Sequence, residues 1–233
     1  MSRPGIRALL RALRDRFLAG VARKEDVDRL YAQVAGLLQI QSAMDGRPVV
    51  GPLRGWAISP DALAWILIDL QRRTTPLVVE FGSGQSTLIL AAVLRHGGGR
   101  LVTVEHDVCY RDAVTRGLAD RGLADLVDVI HAPLREDDLD DPILSYDTDA
   151  LPQVAIDVGL VDGPPASAGR LGRLVPLRWA TSHLAPGGTV FLDDANRDSE
   201  QECLARLARD RPDLAMVSLT AEKGLVAIRA GDG

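Results

Sequence analysis

The chain has 233 residues, 46% hydrophobic and 25% charged, with a formal net charge of −5 at pH 7. That suits one sizeable soluble α/β domain with an appendage and speaks against general affinity for a nucleic-acid backbone. Its two cysteines, Cys109 and Cys203, lie in different segments without a C-x-x-C pair, which excludes a cysteine zinc cluster and a disulfide framework and suits a reducing cytoplasm.

Residues 1–55 read as an N-terminal helical appendage and linker, and 56–233 as the main domain. The start, "MSRPGIRALLRALRDRF", interleaves arginines with leucines; it has no uninterrupted apolar core and is no signal peptide. No apolar run approaches ~20 residues, so no membrane span is expected. Ile6, Leu9, Leu10, Leu13 and Phe17 recur at helical spacing, and this basic amphipathic helix could also rest on an anionic membrane surface. A second helix carries Val27, Leu30, Val34, Leu37, Gln41 and Met44 as a short heptad stripe, for packing on its own domain or for a homodimer. "DGRPVVGPLRGWAISP" (45–60) is the Gly- and Pro-rich linker. Ser59 is a candidate N-cap with Pro60 at the first helical position.

Strand-like runs follow at 77–81, 101–106, 127–132, 156–162, 189–194, 214–219 and 224–229, with helical segments at about 86–95, 109–121, 169–184 and 198–209. The alternation predicts an α/β fold: a seven-stranded, mostly parallel, Rossmann-like sheet with helices on both faces. "TAEKG" between the last two strands is too short for a crossover, so these form a C-terminal antiparallel hairpin.

The first strand runs into "VVEFGSGQSTLIL" (78–90). Such a turn lies at the carboxyl edge of the sheet, where Gly82 and Gly84 let backbone approach a ligand closely. A dinucleotide fingerprint needs a third glycine where Thr87 stands, and Glu80 before the turn would repel a pyrophosphate. Glu105, at the end of the next strand, can accept hydrogen bonds from ribose hydroxyls. A ribose, a positive charge and no phosphate describe S-adenosylmethionine.

"VVEFGSGQSTLIL", "LVTVEHD", "VGLVDGPPA" and "LAPGGTVFLDDANR", in this order, resemble the class I S-adenosylmethionine-dependent methyltransferases. The nearest likeness is to small bacterial enzymes with GSG-x-ST, VDGPP and DDA-x-R-x-x-E segments. The resemblance covers about residues 56–229. It implies that Glu80, Gly82 and Gly84 border the methionine moiety, with Ser83, Ser86 and Thr87 offering hydroxyls beside it. Glu105 would hold the ribose, His106 would lie next to the adenosine, and Ala132 would edge the adenine pocket, where many members carry an acid. Ser86 is also placed to cap the following helix.

Asp162 in "VDGPP" and Asp193 and Asp194 in "FLDDANRDSE" end neighbouring strands, and three hard oxygen ligands suit Mg²⁺. That set resembles the divalent-metal-dependent O-methyltransferases, in which the metal lowers the pKa of an acceptor hydroxyl. Here no lysine follows the fourth-strand motif, and the whole chain has only Lys24 and Lys223. Alternatively Asp162 contacts cofactor or substrate while Asp193 or Asp194 caps the next helix. Asp162, Asp194 and His131 are the candidate catalytic groups. Arg197, which could instead pair with Glu200, and Tyr146 are the candidate acceptor contacts. Tyr146 lies in "REDDLDDPILSYDTD" (135–149), a segment with seven acids, read as a solvated loop or a lid over the acceptor site. "DGPP" differs from the Asn/Asp-Pro-Pro-Tyr motif of nitrogen-directed enzymes by Gly163 and by Ala166 in place of the aromatic. The expected function is methyl transfer, by O-methylation of a small polar or glycosylated acceptor in the cytoplasm, without nucleic acid. The alternatives are an aminopropyltransferase or NAD-linked enzyme on the same fold, and a non-catalytic scaffold working through its N-terminal helices.

Overall fold

A computed structural model describes residues 6–46, 51–137 and 143–230. Where the spacing suggests two N-terminal helices, α1 (Ile6–Ala43) is one helix of 38 residues. No proline interrupts it, and Gly20 and Gly36 weaken a helix without breaking it. The side chains of Ile6, Leu9, Leu10, Leu13 and Phe17 lie outside the described part, as do linker residues 47–50.

Only the C-terminal end of α1 docks, against α2 (Pro60–Leu70). A Cβ on Gly36 would come within 2.6 Å of the Pro60 carbonyl group, so glycine is what lets the two backbones cross. Ile40, Ala43 and Met44 are buried beside it. Ser59 holds the N-cap position of α2 with extended backbone, and its side chain makes no capping bond.

The main sheet contains β1 (Leu77–Phe81), β2 (Arg100–Glu105), β3 (Val127–His131), β6 (Ile156–Val161), β7 (Leu184–Asp193), β8 (Leu214–Leu219) and β9 (Leu225–Ala230). Their order is β3-β2-β1-β6-β7-β9-β8. The first five run parallel; β9 is antiparallel to both β7 and β8. The expected seven-stranded sheet and terminal hairpin are thus both present. Successive residues feed opposite faces. Val78 and Phe191 join the apolar cluster under α2, α3 (Gln85–Gly97) and α4 (Val108–Ala119). Val79 and Phe81 join the one under α5 (Leu174–Ser182) and α6 (Asp198–Asp210). Phe81 and Phe191 are almost fully buried and contribute about 1.5–3 kcal/mol each.

The segment 135–149, expected as a loop, instead holds a hairpin of β4 (Leu134–Asp137) and β5 (Ile143–Tyr146). Residues 138–142 lie outside the described part. Ile143, Ser145 and Tyr146 are buried, and Ile143 and Tyr146 join the core despite the surrounding acids.

Candidate active site

Strand order reverses between β1 and β6, and a crevice at the carboxyl ends of such strands is where open α/β sheets take ligands. A cavity of about 490 Å³ lies there. Two glycines make the room. Gly82 has φ 98°, and a Cβ on it would stand 2.9 Å from the Gly163 nitrogen. A Cβ on Gly163 would collide with the Tyr146 hydroxyl. The ends of β1 and β6 can therefore touch, leaving backbone rather than side chain on the cavity wall. The Gly163–Pro164 peptide is cis.

Glu105 forms one wall and is nearly buried. Its Oε2 accepts from the Ser83 N–H at 3.0 Å and the Ser83 hydroxyl at 2.8 Å. Its Oε1 accepts from the backbone of His106 and Asp107 at 2.8 and 2.9 Å. One carboxylate thus ties the turn after β1 to the turn after β2. Asp107 then caps α4, accepting from Cys109 N and Tyr110 N.

Glu80 is fully buried and does not line the cavity. Its Oε2 accepts from Thr87 Oγ1 at 2.5 Å and Thr103 Oγ1 at 2.8 Å. Thr87 Oγ1 in turn accepts from Gly84 N at 2.9 Å. Burial pushes the Glu80 carboxyl up to about 7, against the opposing pull of the Ser86, Thr87 and Thr103 hydroxyls. This carboxyl holds the turn in place from behind. Helix α3 begins at Gln85 with Gly84 as N-cap, so Ser86 lies inside the helix rather than capping it. Of the nine residues the resemblance assigns to the cofactor, Gly82, Ser83, Glu105 and His106 line the cavity; Glu80, Gly84, Ser86, Thr87 and Ala132 do not.

On the other side, one oxygen from each of Asp162, Asp193 and Asp194 falls within 4.8 Å of the other two. β7 ends at Asp193, and Asp194 takes φ 57°, a left-handed conformation that aspartate tolerates. Consecutive acids thereby take different stations. Asp162 and Asp194 line the cavity, and Asp193 is fully buried beside it. Burial and then Asp193 raise Asp162 well above the usual carboxylate range. Burial and then Asp194 push Asp193 up to about 6.

Arg173 is the buried cation among these acids. Its Nη2 donates to the Asp162 carbonyl at 2.7 Å and to Asp194 Oδ2 at 3.0 Å, and its Nη1 donates to the Asp193 carbonyl at 2.9 Å. Arg197 also reaches Asp194 Oδ2 at 3.0 Å, closer than its 3.8 Å approach to Glu200. Both Asp193 carboxylate oxygens and Asp194 Oδ1 still receive no hydrogen bond. No side chain caps α6, so Asp193 and Asp194 do not serve as its caps.

Arg197 and Tyr146, the candidate acceptor contacts, both line the cavity. The Tyr146 ring, however, is 2% exposed and packs on Phe81 and His106, which leaves no free face for stacking. Its hydroxyl is buried without a partner. His131 does not line the cavity; its Nε2 donates to the His106 carbonyl at 3.0 Å.

Four further residues at this site escape the sequence motifs. Arg173 comes from the start of α5, and Tyr110 from α4. Trp56, 82% exposed, stands at the mouth. Lys223 donates to the carbonyls of Gly55 and Ala57 at 2.8 and 2.7 Å, which pins both sides of Trp56, and lies 4.0 Å from Asp194 Oδ1. The scarcity of lysine was the one signal pointing to Lys223.

Residues 79–195, half of the chain, match a family model described as a methyltransferase domain. The chain belongs to this family and is a class I S-adenosylmethionine-dependent methyltransferase. Among solved structures, it resembles the Podospora anserina methyltransferase PaMTH1 with bound S-adenosylhomocysteine (SAH), at 16% identity and a TM-score of 0.65, covering 90% of this chain and 96% of that one. An O-methyltransferase from Bacillus cereus in complex with SAH gives 17% and 0.59, covering 88% and 97%. The O-methyltransferase TomG from Streptomyces achromogenes, involved in tomaymycin synthesis, gives 18% and 0.53, covering 86% and 89%. No protein of curated function matches the sequence. Among the described residues, no helix is long and apolar enough to cross a membrane.

Proposed function

We propose that this chain methylates an oxygen of a small polar or glycosylated acceptor, with a divalent cation held by Asp162, Asp193 and Asp194. The observation that carries the reading is the buried, donor-poor acid cluster sharing one cavity with the Glu105 wall. S-adenosylmethionine, when bound, supplies an electrophilic methyl group on a sulfonium. Gly82 and Gly163 clear space for it, Glu105 offers a carboxylate to ribose hydroxyls, and the Tyr146 hydroxyl offers an unused donor. Burial and then Glu105 hold the Tyr146 pKa well above its ordinary value, so that hydroxyl keeps its proton at neutral pH.

The acid cluster fits a hard cation. Three oxygens lack donors, and burial followed by a neighbouring carboxylate, Asp193 for Asp162 and Asp194 for Asp193, raises the pKa values of Asp162 and Asp193, which a cation would relieve. A divalent cation there would lower the pKa of an acceptor hydroxyl. Asp162 and Asp194 face the cavity and orient the acceptor, and orientation supplies much of the rate in such a transfer. Trp56 and Tyr110 add apolar area at the mouth, suited to a ring.

The test is calorimetric titration with SAH, in MgCl₂ or in excess EDTA, together with labelled methyl transfer from S-adenosylmethionine to a panel of polyhydroxylated phenols and sugars. SAH should bind with micromolar affinity in both buffers. Mg²⁺ should bind with release of protons, more tightly as pH rises through about 6, and transfer should stop in EDTA. Full transfer in EDTA removes the cation from the account. No SAH binding by the folded protein removes the reading.

A further inference from the structure

Helix α1 has a second face that the domain leaves uncovered. Gly36, Ile40, Ala43 and Met44 dock on α2. Elsewhere around the helix, Val27, Leu30, Tyr31, Val34, Leu37 and Leu38 are 40–75% exposed. Steps of three and four residues put these six on one stripe, well rotated from the docked positions. An exposed patch of this extent on a soluble protein marks a contact surface.

A membrane-lying helix keeps Lys and Arg along its polar flank. This stretch has a single basic residue between Val27 and Gly46, Arg29, and it pairs with Asp26 at 3.3 Å. Beyond Arg29, from Val34 to Met44, the polar residues are the uncharged Gln39, Gln41 and Ser42, which suits a protein partner with the same character.

We propose that a second copy of this chain occupies the stripe, as an antiparallel helix pair with its two-fold axis at Val34. A two-fold contact must be self-complementary, and the central five positions of the stripe read alike in both directions: Leu30 and Tyr31 precede Val34 by four and three residues, and Leu37 and Leu38 follow it by three and four; Val27 then meets Gln41 of the other copy. Pairing about that centre sets Leu30 against Leu38, Tyr31 against Leu37, and Val34 against itself. The antiparallel direction sets the charged stretch of Asp26, Asp28 and Arg29 in each copy along the uncharged Gln39, Gln41 and Ser42 of the other, which keeps like charges apart. The six residues, 40–75% exposed, present about 600 Å² per copy, so full coverage in a pair would bury on the order of 1,200 Å², the lower bound of a stable interface.

Sedimentation equilibrium of the full chain at micromolar concentration tests this. The expected mass is twice the monomer's 25.0 kDa. Val34→Glu, which sets two carboxylates at the axis, should weaken the dimer at least ~100-fold while SAH binding and helix content stay unchanged. In a Cys109→Ser background, Val34→Cys should oxidise to a covalent dimer and Arg29→Cys, on another face, should not. A monomeric native chain, or a dimer that survives Val34→Glu, overturns the proposal. Pelleting of the monomer with phosphatidylserine vesicles would give the stripe to a membrane instead.

Discussion

The two halves of the cavity treat their acids in opposite ways. On the β1–β2 side, Glu105 has each oxygen engaged by backbone or hydroxyl donors, and Glu80 has two threonine hydroxyls. On the β6–β7 side, the carboxylates of Asp162, Asp194 and Glu200 converge on one guanidinium, and the Asp193 carboxylate has no donor at all. The first half leaves one acid oxygen without a donor, Glu80 Oε1, and the second leaves three, on Asp193 and Asp194. A binding wall can be built from hydrogen bonds within the protein, whereas the cation site proposed for the second half needs acids left electrostatically unfinished.

The largest effect should come from removing the one cation buried in the unfinished half. Arg173→Met leaves Asp162, Asp194 and Glu200 without their shared partner and should cost about 3–5 kcal/mol in urea unfolding at pH 8. The deficit should shrink at pH 5, because Asp193, with its pKa near 6, is then protonated. A loss under 1 kcal/mol at pH 8 would mean that Lys223 and Arg197 already balance the cluster, and the contrast between the halves would fail.

Glu80 gives the next test, on the β1–β2 side. Its folded pKa of about 7 lies above the ordinary 4.5. Between those values the folded protein holds a proton that the unfolded chain has released. Stability is therefore full below about pH 4.5, falls as pH rises and levels off above 7, a loss of about 3 kcal/mol. Glu80→Gln removes that titration and keeps an oxygen for Thr87 and Thr103. The variant should gain on the native chain by about 3 kcal/mol across the window, read from urea midpoints. A difference that does not change with pH would show that the hydroxyls, not burial, set the state of this carboxyl.

Why the two halves differ in how well they can be read from sequence follows from the same contrast. The strands are plain because each is a short apolar run, and the glycine turn is plain because "GSG" follows the first of them. Glu105 is legible because its partners, Ser83, His106 and Asp107, lie in that turn or next to the acid itself. The acid cluster is legible only in part. Asp162, Asp193 and Asp194 are strand-end acids, but nothing local says that Arg173, from a different helix, enters among them, or that Asp194 leaves the strand with left-handed backbone. Glu80 was assigned to the ligand because it abuts the turn; strand pairing sets it opposite Thr103 instead, and pairing is not written in the segment. The β4–β5 hairpin hides for a similar reason. Its core residues, Ile143 and Tyr146, are too few among seven acids to show a period.

The smallest effect concerns a single hydroxyl. Ser83 gives Glu105 Oε2 two bonds, one from its backbone N–H and one from its side chain. Ser83→Ala removes only the second, so the carboxylate keeps its link to the turn and the cavity keeps its shape. A hydrogen bond to a charged acceptor is worth about 1.5–3 kcal/mol at most, and the backbone donor that remains sets the expected loss of stability near 1 kcal/mol. SAH affinity moves by a different route. If ribose hydroxyls compete with the Ser83 hydroxyl for Oε2, the variant has an emptier acceptor and should bind SAH no more weakly than the native chain. If the Ser83 hydroxyl instead contacts the ligand directly, affinity should fall about tenfold, which is 1.4 kcal/mol. Calorimetry on this one variant therefore separates a serine that completes the wall from a serine that touches what the wall holds.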